Sequence, residues 1–202
     1  MSARTHFGGR TLARSQALQL LFQAEATGRT VYEVLEGDYA LSEGPLDPFG
    51  EMLARGADDM RSDLDAVIEV TSSNWSISRM SSVDRNLLRL ALYEMLEVDE
   101  VAVAVTIDES VELAKAYGSD DSFRFINGLL GRVARRMDEG VDVVAAAREE
   151  LAARNAADQQ AAEDAGAAED AEDAEAQDAD EDATDVEDAA TESVTDDAED
   201  GE

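Results

Sequence analysis

No cysteine occurs in the chain, which excludes disulfides, thiol catalysis and cysteine-based zinc sites. Histidine occurs once, as His6 in a glycine-containing leader. A Ser-His-Asp arrangement would therefore have to bring that single residue against an acid from elsewhere in the fold. Neither GxxxxGKS nor a GxGxxG following a strand is present, so nucleotide cofactors have no seat. No apolar run approaches the roughly 18 residues that span a bilayer. The N-terminal MSARTHFGGRTLARS lacks the apolar stretch of a secretion signal. These absences predict a soluble cytoplasmic protein without membrane contact, cofactor or metal, and not an enzyme.

Positive charge is scarce and unevenly placed. Sixteen Lys and Arg stand against 48 Asp and Glu, giving a formal charge of −32. All 16 bases lie between Arg4 and Arg154, whereas 21 of the acids lie between Asn155 and Glu202. That C-terminal segment has no aromatic residue and is mostly Ala, Asp and Glu, too little apolar surface to offset chain entropy. The expected organisation is a flexible basic leader over 1–10, a helical domain over 11–154 and a disordered acidic tail over 155–202.

Within the domain, helical periodicity dominates. Leu12, Ala17, Leu18, Leu21, Phe22 and Ala24 recur at helical spacing until Gly28. Val31 to Leu35 predicts a short helix closed by Gly37, and Ser42 to Gly50, with both prolines, predicts a loop. Phe49, Met52, Leu53, Gly56 and Met60 form a stripe that Leu64, Val67 and Ile68 continue, with a break expected near Gly56 or at Thr71 to Asn74. Val83 to Leu96 is apolar around most of its circumference, with Arg85, Arg89 and Tyr93 as a polar stripe. A helix of this kind must be surrounded by others. Val101 to Val105 reads as a buried connection. Thr106 then opens a helix with Glu109 at capping-box spacing and Ile107, Val111, Ala114 and Tyr117 as its inner face. Ser122 caps a further helix carrying Ile126, Leu129, Leu130, Val133 and Met137. Gly128 and Gly131 inside it cost about 1 kcal/mol each relative to alanine, which predicts that another backbone or a partner approaches closely there. Val141 to Arg154 extends the helical pattern. The sum is an all-α bundle of about seven helices.

Candidate chemistry is thin. Asp108, Glu109 and Glu112 share a helix but lack an Asp-rich loop, so a solvated first turn favoured by the helix dipole accounts for them. Arg4, Arg10 and Arg14, with Phe7 and Phe22 nearby, make a sparse basic leader; such side chains answer phosphates and stack on unpaired bases, or belong to an ordinary mobile terminus. Arg124 and Phe125 form a similar cation-and-ring pair beside Asp120 and Asp121. There too an acid at a helix start and Arg132, Arg135 and Arg136 at its end suit the dipole alone.

Three blocks carry a family resemblance: ARSQALQLLFQAE (Ala13 to Glu25), VDRNLLRLALYEML and TIDESVELAKAYGSDDSFRFINGLLGRV. Together they resemble the bacterial transcription antitermination factor family NusB, over roughly Arg10 to Arg136. Asn127-Gly128 and the run Glu112 to Lys115 are the most specific parts. The resemblance implies a helical fold of two packed sub-bundles. It also implies binding of boxA RNA together with NusE, a protein of the small ribosomal subunit. That pair joins elongating RNA polymerase with other Nus factors and supports ribosomal RNA synthesis. By position, the resemblance implies RNA contacts for Arg10, Arg14, Phe22, Asp121, Arg124 and Phe125, and a NusE-facing role for Arg89, Tyr93 and Glu94. Two departures stand out. The leader reads Arg10-Thr11-Leu12 where the family has consecutive arginines, and the acidic tail lies outside the family core. The same fold precedes ribosomal RNA cytosine methyltransferases, but no cofactor-binding domain follows here. A protein-binding adaptor, or a homodimer with weakened RNA binding, is the alternative.

Overall fold

The helix with the largest set of buried leucines is the one that the others surround. The computed structural model describes residues 7–72 and 76–162. Arg4, His6, most of the acidic tail and part of the break expected at Thr71 to Asn74 lie outside them. The helices run α1 (Gly9–Thr27), α2 (Val31–Glu36), α3 (Pro48–Asp59), α4 (Arg61–Thr71), a single 3-10 turn (Ile77–Arg79), α5 (Ser82–Glu97), α6 (Val103–Tyr117) and α7 (Ser122–Asp138). Residues 143–162 form α8. No strand occurs among the described residues. Leu87, Leu88, Leu90, Ala91 and Leu92 of α5 are at most 2 % exposed. Helix α5 packs against α1, α3, α4, α6 and α7, with α1 also packed on α3 and α6 on α7, so α5 is shared by two packed groups.

Local chemistry sets the helix ends, not always where periodicity placed them. Gly28 closes α1 in the left-handed conformation, φ 65°. The capping box forms at Thr30 and Glu33. It does not form at Thr106 and Glu109, because α6 already begins at Val103 and Thr106 is buried within it, its Oγ1 without a partner among the described residues. Ser122 is likewise inside α7, and its hydroxyl accepts from the Ser119 N–H (2.8 Å) rather than capping the helix. The break in the long stripe falls at Met60, which ends α3 and starts α4. Pro48 opens α3 as its first residue, so the expected loop is shorter than Ser42 to Gly50. Gln16, Gln19 and Gln23 of α1 hold that loop by its backbone: Gln16 bonds Glu43, Pro45 and Asp47, Gln19 bonds Ser42, and Gln23 bonds Ala40. The Asp142 carboxylate accepts from the Val144 and Ala145 N–H groups at the start of α8. Val143 and Ala147 of α8 are buried, and Arg148 pairs with Asp63 of α4 at 2.6 Å. The first compact unit ends at Ala152, and helix continues past Arg154 to residue 162 in the second.

Two charged clusters lie between the helices. Arg14 of α1 donates to both carboxylate oxygens of Glu94 on α5 at 2.6–3.1 Å and reaches Glu109 of α6 at 3.2 Å. On the other flank of α5, Arg85 and Arg89 converge on Glu25 at 2.5 and 2.6 Å, and Arg89 also holds Asp65 of α4. Asn86 adds a bond to Glu25 at 3.1 Å. Burial pushes the Glu25 carboxyl up, but hydrogen bonds from Arg85 and Arg89 outweigh it and hold the group at about 2.

A carboxyl depressed in the folded state contributes stability above its unfolded value and loses it as pH falls through the folded one. Stability measured by urea denaturation should therefore drop as pH falls from about 4.5 towards about 2, and Glu25→Gln should lack this part of the drop. At neutral pH Glu25→Gln should cost about 1.5–3 kcal/mol. A second expectation concerns the α1–α3 contact, where a Cβ at Gly50 would sit 2.5 Å from the Ala13 carbonyl oxygen. Gly50→Ala should destabilise the fold by about 1–3 kcal/mol, read from the same denaturation curve.

Candidate nucleic-acid and partner interface

The residues nominated from the sequence separate into those that hold helices together and those that face outward. Arg14 is 3 % exposed and Glu94 1 %, each satisfied by the other. An RNA role for Arg14 or a partner role for Glu94 would require breaking that pair and leaving a buried charge, which costs about 3–5 kcal/mol. Arg89, 5 % exposed, is similarly committed to Glu25 and Asp65. The polar stripe of α5 is thus not a solvated surface but an inward-facing set of helix ties. Tyr93 is half-buried, and its ring covers Gly56, where a Cβ would collide with it. Burial first, then the carboxylates of Glu97 and Asp59, push the Tyr93 phenol up, so it stays a neutral donor. Its hydroxyl reaches the Met52 sulfur at 3.9 Å.

Arg10 is exposed, and its guanidinium lies over the Phe49 ring at 4.8 Å. Phe22 is 43 % exposed despite its place in an apolar stripe. It lines a shallow hollow of about 370 Å³ with Leu18, Gln19, Gln23, Ala40, Val83 and Tyr117. Tyr117, expected on the inner face of α6, instead reaches this surface; its hydroxyl bonds Ser15 at 2.7 Å and its ring tilts against Phe7. The buried side of α6 is Thr106, Ser110, Leu113 and Ala114.

A second hollow, about 340 Å³, is the more polar of the two: Arg79, Met80, Ser81, Asp84, Ser119, Asp121, Ser122 and Phe125 line it. One Asp84 carboxylate oxygen is buried there with no hydrogen-bond partner among the described residues. Val83 lines the apolar hollow while Ser81 and Asp84 line the polar one, so the first turn of α5 belongs to both. Asp121, Arg124 and Phe125 come together at the start of α7. Arg124 is 72 % exposed and pairs with Asp121 at 2.7 Å. Phe125 both packs on the core and lines the hollow. Sequence reasoning missed Phe123, whose ring lies under Arg124 at 5.0 Å and Lys115 at 6.0 Å. It missed Arg79 as well. Phe123 had a signal in its adjacency to Arg124; Arg79, from the 3-10 turn, had none. Among the described residues no cluster of His, Cys, Asp and Glu is arranged to hold a metal, and no helix is long and apolar enough to cross a membrane.

The model of the NusB family matches residues 11–135. The transcription antitermination protein NusB of Desulfitobacterium hafniense is 43 % identical over 135 residues, covering 64 % of this chain and 90 % of that one. A structure of T. maritima NusB aligns with a TM-score of 0.56 at 35 % identity, over 64 % of this chain and 93 % of the other. A crystal structure of the antitermination factors NusB and NusE in complex with dsRNA aligns with a TM-score of 0.53 at 25 % identity, over 62 % and 96 %. The matched span takes in both hollows, both charged clusters and the corner at Asp121 to Phe125. On that span the chain belongs to the NusB family of transcription antitermination proteins.

Proposed function

We propose that the chain, a non-enzymatic antitermination factor by family, binds boxA RNA jointly with NusE and supports processive ribosomal RNA transcription. In that role it joins RNA polymerase and other Nus factors in the cytoplasm. The observation that carries the reading is the pair of hollows sharing the first turn of α5. The apolar one, with Phe22 and Tyr117 exposed, suits a protein surface, because desolvated aromatic anchors dominate protein–protein affinity. The more polar one, lined by Arg79, Asp121 and Phe125 with Arg124 paired to Asp121, suits an unpaired nucleotide, which needs a ring to stack on and polar groups at its edges. A partner seated in the first would lie beside RNA seated in the second. On this reading Phe22 serves the protein partner, while Arg124 and Phe125 serve RNA. The structural relative solved with NusE and dsRNA supports the same pairing of ligands.

Fluorescence anisotropy of the full chain on boxA RNA and on a scrambled RNA, with and without NusE, tests this. NusE should raise boxA affinity about tenfold, within the usual range of coupling between two ligands. Phe22→Ala should weaken NusE binding about tenfold, and Arg124→Ala should weaken RNA binding without changing NusE binding. Equal affinity for the two RNAs in the presence of NusE would leave a protein-binding adaptor or a homodimer using the apolar hollow alone.

A further inference from the structure

The most basic helix of this acidic chain points its charge away from the core. Helix α7 carries Arg124, Arg132, Arg135 and Arg136 against one acid, Asp138, in a protein of net charge −32. Its buried side is Ile126, Leu129, Leu130 and Val133. At about 100° per residue, Arg124, Gly128, Gly131 and Arg135 fall on the line directly opposite, with Arg132 beside them. Arg124, Arg132 and Arg135 are exposed, and neither Arg132 nor Arg135 has an ion-pair partner among the described residues. Of the two neighbours that their helix cost led us to expect, another backbone or a partner, the two glycines meet no backbone within the chain. Apart from the helix's own backbone, no atom lies within 4 Å of a Cβ built at Gly128 or at Gly131.

We propose that this outer face of α7 is a track for the RNA sugar-phosphate backbone, leading away from the corner at Asp121 to Phe125. It rests on the RNA reading above and extends it by about 16 Å along the helix, the rise of eleven residues. Charge complementarity names the occupant: solvent-facing guanidiniums, those of Arg132 and Arg135 without an ion-pair partner among the described residues and that of Arg124 held only by exposed Asp121, attract a polyanion, and arginine binds phosphate oxygens through paired N–H donors. Gly128 and Gly131 leave bare helix between the arginines at each end. A ribose-phosphate chain can therefore lie against α7 and meet Arg124 at one end and Arg132 and Arg135 at the other. Contacts of this kind position RNA without reading its sequence. They supply affinity that the thin leader, with Arg10 over Phe49 and Arg14 buried, does not.

The simpler explanation of Arg132 and Arg135 is the dipole at the end of α7. It predicts a change of stability and none of RNA affinity, and the glycines separate the two accounts. The test measures Arg132→Gln/Arg135→Gln and Gly128→Leu in the full-length chain. Each is titrated with boxA RNA extended by ten or so nucleotides on either side and with a scrambled RNA of equal length, across a salt series. Thermal melts run in parallel. The double arginine variant should weaken both RNAs about three- to tenfold, with the salt slope shallower by about 0.7 for each phosphate that is no longer neutralised. Gly128→Leu should melt at or above the parent temperature, since leucine enters open space and improves helix propensity, yet bind both RNAs several-fold more weakly. Unchanged affinity and salt slope in all variants would overturn the proposal and leave the face to the dipole or to another anion, such as the chain's own acidic C-terminal segment. If the parent binds scrambled RNA as well as boxA but the variants still weaken both, the boxA reading fails while the track stands.

Discussion

Arg14 and Glu94 meet across 80 residues of sequence, both almost wholly withdrawn from water, and the arrangement of α1, α5 and α6 follows from that meeting. The guanidinium donates to both carboxylate oxygens and its remaining edge reaches Glu109 on α6. A desolvated pair adds little net stability compared with an apolar filling of the same volume, but either charge left alone is strongly unfavourable. The pair therefore works as a constraint of register: α1 cannot slide or rotate on α5 without orphaning a buried charge. Arg89 and Arg85, about one and a half and two and a half helical turns to the N-terminal side of Glu94, repeat the device on the other flank through Glu25 and Asp65. With α1 fixed on both flanks of α5, Phe22 is held outward beside Val83, and the apolar hollow takes its shape.

That constraint also explains what was and was not legible in the sequence. Local period made α5 legible as the central helix, because Leu87 to Leu92 leave no apolar side uncovered. The three family blocks are legible in order because they carry the core and the corner together. The fate of a charge is not local. Arg14, Arg89 and Glu94 look like surface residues on a helical wheel, and only tertiary contact shows that each meets an opposite charge from another helix. Helix ends erred for a related reason. Thr106 has the right spacing to a glutamate for a cap, yet the backbone from Val103 is already helical and Thr106 packs inward. Glycines showed the reverse. Gly50 and Gly56 sit at close approaches that no pattern marked, while Gly128 and Gly131, which promised another backbone or a partner nearby, meet no other part of the chain.

The functional surface emerges once the charges that tie helices together are set aside. A chain of net charge −32 cannot attract RNA as a whole, so its positive groups must be sorted. The arginines of α1 and α5 that point inward are matched by carboxylates; at the outer side of α7 Arg124 pairs only with exposed Asp121, and Arg132 and Arg135 have no ion-pair partner among the described residues. Aromatic side chains divide in the same way, with Phe22 and Tyr117 at the apolar hollow and Phe123 and Phe125 at the basic corner. Membership of the NusB family fixes the class of activity. On the proposed reading, the sorting of charge and ring explains how one helical bundle would serve a protein and an RNA at the start of a single helix.

Amide chemical-shift mapping of the full chain, titrated first with boxA RNA and then with NusE, tests this division most directly. RNA should shift amides from Arg79 to Asp84 and from Ser119 along α7, and NusE should shift those around Phe22, Ala40 and Tyr117, while Arg14 and Glu94 stay in place. Large RNA-induced shifts at Arg14 and Glu94, with the α7 amides unmoved, would show that the buried pair opens to bind and would contradict the account.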